Sequence, residues 1–360
     1  MTPFGSAPSY GKITPPDDAW LARAKPEPAL DPDLKIIDPH HHLWDNSLHR
    51  YLVPEFADEI ARSGHKVRAT VYMNCWIMYR AGGPEELRPV GEVEFANGQA
   101  AISASGQFGP AQIAAGIVGH ADPALGTRIR PVLEALVAAG NGRLRGIRAA
   151  AGWDADRSIS APVDAPGLYL RSDVRAALRC LSDYGLCFDA LVFHPQLTDI
   201  VELSRALPDL PIVLNHTGQP LGFGRYSDRA ETFQLWSRLI REVAACPNVV
   251  VKLGGLMLRL AVPDHIDRAD TPVTSEQLAE LWRPYIETCI DLFGPKRCMF
   301  ESNFPVEKMG VTYGTLWNAF KRLTNSYSSD EKNALFSGTA ARAYALEAYL
   351  EEAVSPPMTA

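Results

Sequence analysis

The stretch Leu34-Lys35-Ile36-Ile37-Asp38-Pro39-His40-His41-His42-Leu43-Trp44 runs from an apolar segment straight into three histidines. Successive side chains of a strand point to opposite faces, so a strand over Leu34 to Asp38 sends His40 and His42 the same way. Two imidazoles aimed at one point make half of a metal site, and zinc or manganese accepts neutral imidazole readily. An isolated His-x-His is more often a polar loop or a satisfied buried pair. What the other strands bring to the same place decides between the two.

Further β-like runs follow at Val67 to Met73, Ala114 to His120, Leu144 to Ala149, Leu186 to Phe193, Pro211 to Asn215, Val249 to Leu253 and Arg297 to Glu301. Helical patterns lie between them, clearest at Pro123 to Ala139, Ser172 to Tyr184, Asp199 to Leu207, Arg229 to Ala245, Ser275 to Phe293 and Tyr313 to Thr324. Strands alternating with helices make a parallel sheet of βαβ units. Eight such runs, several continuous in Val, Ile and Leu, predict a closed (β/α)8 TIM barrel. No Gly-x-Gly-x-x-Gly follows the first strand, which removes the main open-sheet rival.

Three segments exceed an ordinary loop: Asn74 to Pro110, Ala151 to Arg171 and Leu256 to Thr274. Each follows a strand, so a barrel places it on the catalytic face as pocket roof. Residues 34–350 are expected to form a single domain, with 351–360 a tail. Met1 to Asp33, rich in proline, reads as an extended N-terminal arm lying over the domain or reaching a neighbouring subunit, anchored by Trp20. The segment from Ser328 onward, helical over Ala340 to Tyr349, is expected to close the barrel from outside.

Hydrophobic residues at 46% and charged residues at 21% match a soluble globular chain with a sizeable core. A net charge of -7 speaks against nucleic acid or an anionic membrane as partner. No apolar run approaches a membrane span and the N-terminus lacks a secretory signal, so a cytoplasmic protein is expected. The six cysteines form no Cys-x-x-Cys pair and read as buried free thiols. The arm and the long insertions leave a homodimer open.

In a barrel of this kind chemistry lives at the C-terminal strand ends. Those ends bring His40 and His42, then Asn74-Cys75, His120, Arg148, His194, Asn215-His216-Thr217-Gly218, Lys252, and finally Glu301-Ser302-Asn303-Phe304-Pro305. Asp38-x-His40-x-His42, the Asn215 to Gly218 tetrad, Val251-Lys252-Leu253-Gly254-Gly255-Leu256 and Arg297 to Pro305 together resemble the amidohydrolase superfamily. Within it the chain is most similar to the sugar-lactonase and 2-pyrone-4,6-dicarboxylate lactonase group, over about residues 34 to 345.

That resemblance implies His40, His42 and His216 as ligands of a divalent ion, zinc or manganese, with a metal-free mechanism also open. It makes Arg148 the group that holds a substrate carboxylate or a developing anion through its planar fork. Lys252 either serves the same anion or is a barrel-interior lysine paired with a carboxylate. His194 is a further pocket candidate, and His120 reads as structural.

The departure is on strand 8, where relatives read Gly-Ser-Asp-x-Pro and this chain has Asn303 in place of the aspartate. An amide has no useful basicity and ligates divalent metals poorly. Glu301 stands two residues earlier, on the same face and about 7 Å deeper. Glu301 is therefore the expected acid/base or metal carboxylate, with Asn303 orienting substrate or water; the competing expectation pairs Glu301 with Lys252 or Arg148. Trp44, Tyr79, Arg80 and Trp153 would frame a ring-sized substrate. The expected activity is hydrolysis of a lactone or related cyclic ester of a small, anionic, carboxylated metabolite. A decarboxylase on the same fold and a non-catalytic ligand-binding relative stand as alternatives.

Overall fold

The computed structural model describes residues 13, 15–46, 49–260 and 269–351, without the side chains of 258 and 259. Eight parallel strands pair in chain order. They are β1 (Ile36–His41), β2 (Val67–Met73), β3 (Gln112–Gly119), β4 (Leu144–Ala150), β5 (Cys187–Leu191), β6 (Ile212–Leu214), β7 (Val249–Leu253) and β8 (Cys298–Phe300). The Asn303 N–H donates to the His40 carbonyl at 2.8 Å and the His42 N–H to the Phe304 carbonyl at 2.7 Å, bringing β8 back to β1 at the upper rim. The chain is a (β/α)8 TIM barrel.

β1 runs three residues further than the apolar segment predicts, with a bulge between Asp38 and His41. His41 turns outward, its Nε2 at 2.8 Å from Thr70 Oγ1 and its ring 4.7 Å from that of Phe56. His40 and His42, on either side of it, reach the lumen together, their Nε2 atoms 3.3 Å apart.

Two helices escape the pattern reading. Val53–Ser63 has Val53, Phe56, Ala57 and Ile60 buried at helical spacing and stops at Gly64 in the left-handed region (φ 69), a signal the sequence does carry. Val90–Ala104 occupies part of the segment expected to be loop. Its interior holds Gly91, Asn97 and Gly98, and it buries Glu92, Gln99 and Ser103 alongside its apolar residues, which blurs the stripe. Glu92 accepts from the Tyr72 hydroxyl at 3.0 Å and from the Cys75 N–H at 2.6 Å, fixing the turn that leaves β2.

The lumen has its own apolar core, in which Ile37, Val71, Met73, Val213 and Met299 meet Ala340, Ala341 and Tyr344 of the C-terminal segment. That segment does not close the barrel from outside. It plugs the lower end, with the Tyr344 hydroxyl reaching Asp189 on β5 at 2.9 Å and Lys35 Nζ, ahead of β1, donating to the Leu350 carbonyl at 2.6 Å. Residues 1–12 and 14 of the expected arm lie outside the described residues; from Pro15 onward it lies over its own barrel, where Trp20 Nε1 donates to the Ala269 carbonyl at 2.9 Å and the Leu30 N–H to Asn318 Oδ1 at 2.8 Å. All six cysteines are free thiols. No helix among the described residues is long and apolar enough to cross a membrane.

Candidate active site

A cavity of about 520 Å³ opens above the C-terminal strand ends, with His42, Arg148, His216 and Asn303 in its lining. His40 and Glu301 lie against this group, both fully buried. After β6 the chain turns sharply, with His216 and Thr217 both left-handed (φ 53 and 52). This turn sets His216 Nδ1 2.7 Å from Glu301 Oε1, and the His216 N–H donates to the same oxygen at 3.2 Å. A carboxylate only accepts, so Nδ1 carries the proton and Nε2 keeps its lone pair.

Two glycines after β7 make room for that pair. A Cβ on Gly255 would sit 1.9 Å from His216 Nδ1, and one on Gly254 2.7 Å from Glu301 Cγ. The Gly254-Gly255 doublet is thus required by the close approach of the His216 ring and of Glu301, whose carbonyl oxygen a Gly254 Cβ would meet at 2.4 Å.

Across the lumen, His42 Nδ1 lies 2.8 Å from the Met73 carbonyl and donates to it, which leaves the His42 Nε2 lone pair facing His40 Nε2. Arg148 converges on the same point. Its Nε donates to Asn74 Oδ1 at 2.8 Å, Nη2 donates to the Asn74 carbonyl, and Nη1 lies 3.4 Å from His40 Nε2. Its guanidinium also lies 5.4 Å from the Trp76 ring centroid. Held at several points, the fork is preorganised for an anion.

Burial holds both His40 and His42 well below the ordinary imidazole value, and nearby positive charge, Lys252 foremost for His40 and Arg148 for His42, pushes the same way. Both rings are neutral at physiological pH. Glu307, fully buried, is pushed up to about 8 by desolvation. It accepts from Asn303 Nδ2 at 3.3 Å and from the Met257 N–H at 3.1 Å. With Nδ2 committed to Glu307, Oδ1 is the end of the Asn303 amide available to the cavity.

These residues fit a divalent ion. One ligand atom each from His40, His216 and Glu301 lie within 4.8 Å of one another. Glu301 Oε2 stands 2.7 Å from His40 Nδ1 without hydrogen-bond geometry and has no hydrogen-bond partner among the described residues. A buried carboxylate oxygen left in that state is costly, and a cation relieves the cost. Glu301 thereby joins the expected His40 and His216, while the expected His42 stands outside that group, its Nε2 3.3 Å from His40 Nε2.

The structure brings Trp44 to the cavity as well, its ring stacked 5.9 Å from that of His42. Five other expected residues are elsewhere. Lys252 is fully buried and ion-paired with Asp189 at 2.8 Å, the barrel-interior lysine of the second expectation, and touches the site only through His40 Nδ1 at 3.4 Å. His194 is buried outside the lining, accepts from the Leu221 N–H at 3.3 Å, and is lowered to about 4 by burial. Arg80 is exposed and paired with Glu94, and Tyr79 lies outside the lining. Gly91 packs so tightly on this stretch that a Cβ there would meet the Met78 carbonyl at 2.5 Å, which turns residues 78–80 toward helix Val90–Ala104. Trp153 spends its indole N–H on the Asp164 carbonyl at 3.1 Å, within its own loop. Glu301 pairs with neither Lys252 nor Arg148. His120 is structural, its Nδ1 3.0 Å from the Arg148 carbonyl.

Glu307, Gln219 and Trp76 were not singled out from the sequence. Glu307 carried a signal, a carboxylate four residues beyond the strand 8 asparagine. Gln219 directly follows the strand 6 tetrad and is left-handed (φ 43) in the cavity wall.

The profile of a family described as Amidohydrolase matches residues 37–346. Protein y4mH of Sinorhizobium fredii is 30% identical over 330 residues, covering 87% of this chain and 99% of that one. An L-fucono-1,5-lactonase of Burkholderia multivorans is 32% identical over 168 residues, 44% of this chain and 51% of the enzyme. The crystal structure of an amidohydrolase from Burkholderia multivorans with bound zinc superposes with a TM-score of 0.64 at 25% identity, covering 86% of this chain and 99% of that one.

Proposed function

This chain belongs to the amidohydrolase family and is a hydrolase of it, and from that premise we propose that it opens a lactone or related cyclic ester of a small carboxylated metabolite. The observation that carries the reading is the His216–Glu301 pair at 2.7 Å beside Arg148, an imidazole base oriented by a carboxylate next to a fixed cation. Similarity to an L-fucono-1,5-lactonase supports the choice of a cyclic ester.

In this reading the substrate carbonyl or carboxylate faces Arg148, and Asn303 Oδ1 accepts a hydrogen bond from the attacking water. His216 Nε2 takes a proton from that water as its oxygen bonds to the carbonyl carbon, and Glu301 stabilises the imidazolium. Arg148 meets the charge that develops on the carbonyl oxygen. Collapse breaks the ring C–O bond and His216 returns the proton to the departing alkoxide, giving the hydroxy acid. Where zinc or manganese is bound, His40, His216 and Glu301 would hold it, and it would supply Lewis-acid polarisation of the carbonyl and acidify the attacking water in place of the free His216 base.

The test is acid release from a lactone panel in weak buffer. His216→Asn is expected to lower kcat by about a thousandfold. Arg148→Lys is expected to raise KM for carboxylated lactones about tenfold, since an ammonium does not reproduce the fork. No acid from any lactone, with carbon dioxide released from aromatic acids instead, overturns the hydrolytic reading in favour of decarboxylation.

A further inference from the structure

The cavity is walled in part by residues that precede the family-matched region. Ile13 and Pro15 lie in its lining, whereas the match begins at residue 37. Ile13 is 52% exposed and Trp76, in the same lining, 49%. Large apolar side chains left in water at the mouth of a pocket suit a ligand with one polar and one apolar end. The polar end is provided for by Arg148 and His216.

The arm is tied down just past these two residues. Asp17 caps the turn by accepting from the Trp20 N–H at 2.9 Å, Trp20 Nε1 is bound to the Ala269 carbonyl at 2.9 Å, and Asp18 pairs with Lys308 at 2.8 Å. Lys308 in turn pairs with Glu59 at 2.7 Å, so the anchor draws on two separate parts of the barrel's upper face.

We infer that the arm completes the substrate pocket. Ile13 and Pro15, with Trp76, cover an apolar substituent of a lactone whose ester group lies at His216 and Arg148. This rests on the lactone reading and adds a substrate class: lactones carrying a fused or pendant apolar group, rather than bare rings.

A matched pair of substrates tests it, dihydrocoumarin and δ-valerolactone, which share a six-membered lactone ring and differ in the fused benzene. The intact chain is compared with Ile13→Ser and with a chain begun at Asp17, which keeps the Trp20 anchor. The shortened chain is expected to lose about tenfold in kcat/KM on dihydrocoumarin and less than about twofold on δ-valerolactone, with Ile13→Ser between. Equal losses on both lactones, or none, overturn the inference. Ile13→Ser guards against misfolding of the shortened chain, since its side chain is largely in solvent. If the intact enzyme releases acid from no lactone of the panel, the lactone reading falls; in that case, or if it opens neither of these two, the arm is judged by binding of 2-naphthoate followed by tryptophan fluorescence. About tenfold weaker binding by the shortened chain then supports the arm's role; equal or absent binding overturns it.

Discussion

Two layers of buried charge sit in one barrel lumen, and they are built differently. In the lower layer Asp189 and Lys252 pair at 2.8 Å, and the Tyr344 hydroxyl lies 2.9 and 3.0 Å from the two Asp189 oxygens. Asn215 Nδ2 adds a third partner to Oδ1 at 2.8 Å. In the upper layer Glu301 has one oxygen engaged by His216 and the other without a hydrogen-bond partner among the described residues. His216, Gln219 and Asn303 are all left-handed there, while Asp189, Lys252 and Tyr344 are not. Burial is the same in both, so depth alone does not mark a site. What separates them is completion: the lower carboxylate has spent its capacity to bind, and the upper one has not.

The comparison breaks most directly at Glu301→Gln. The amide keeps the shape and leaves no charge unpaired, yet it cannot hold an imidazolium on His216. A fall in kcat of about a thousandfold is expected, with thermal stability equal to or above that of the parent. Full activity in this variant would erase the functional distinction between the layers. Lys252→Met attacks the other side. It strands the Asp189 charge in the lumen, and urea denaturation should show a loss of about 3–5 kcal/mol. A loss under about 1 kcal/mol would mean the lower pair is not structural.

The same contrast explains what could be read before the fold was known. Strand ends are short-range features, so His40, His42, Arg148, His216 and Asn303 could be placed at them from alternation and position, with their roles supplied by the family resemblance, and all but His40 line the cavity that His40 adjoins. Glu301 was legible because period-two alternation puts it on the face of Asn303. Its partner was not: whether it meets Lys252, Arg148 or His216 depends on barrel shear and on the space above Gly254 and Gly255, which no local pattern encodes. Tyr79, Arg80 and Trp153 failed for a related reason. They sit on long loops whose direction is set by packing, as where Gly91 draws residues 78–80 aside. Helix Val90–Ala104 was hidden because its buried residues include Glu92, Gln99 and Ser103, polar groups satisfied only in tertiary contact. Glu307 was overlooked although a carboxylate so near the strand 8 departure was visible.

Smaller changes sharpen the comparison. Tyr344→Phe removes one hydroxyl from Asp189 and leaves Lys252 in place. A loss of about 1.5–3 kcal/mol is expected in urea denaturation, with kcat nearly unchanged because the layer above is not touched. A drop in kcat larger than the loss of folded protein would show that the two layers are coupled through Lys252 and His40, 3.4 Å apart.

The smallest effect is a slope, and it concerns a third way of burying a carboxyl. Glu307 has neither the counter-ion of Asp189 nor the histidines of Glu301, and desolvation raises it from 4.5 to about 8. Across that interval the folded chain keeps a proton that the unfolded chain releases, so this group's contribution to stability falls as pH rises from about 4.5 to 8. Glu307→Gln removes the titration while its side-chain oxygen can still accept from Asn303 Nδ2. The variant should therefore gain on the parent in urea midpoint between about pH 5 and pH 8, with little change in kcat. If the parent's decline over that range survives intact in the variant, Glu307 is held ionised by contacts equivalent to those of Asp189. The carboxyl groups of the lumen would then divide into two kinds and not three.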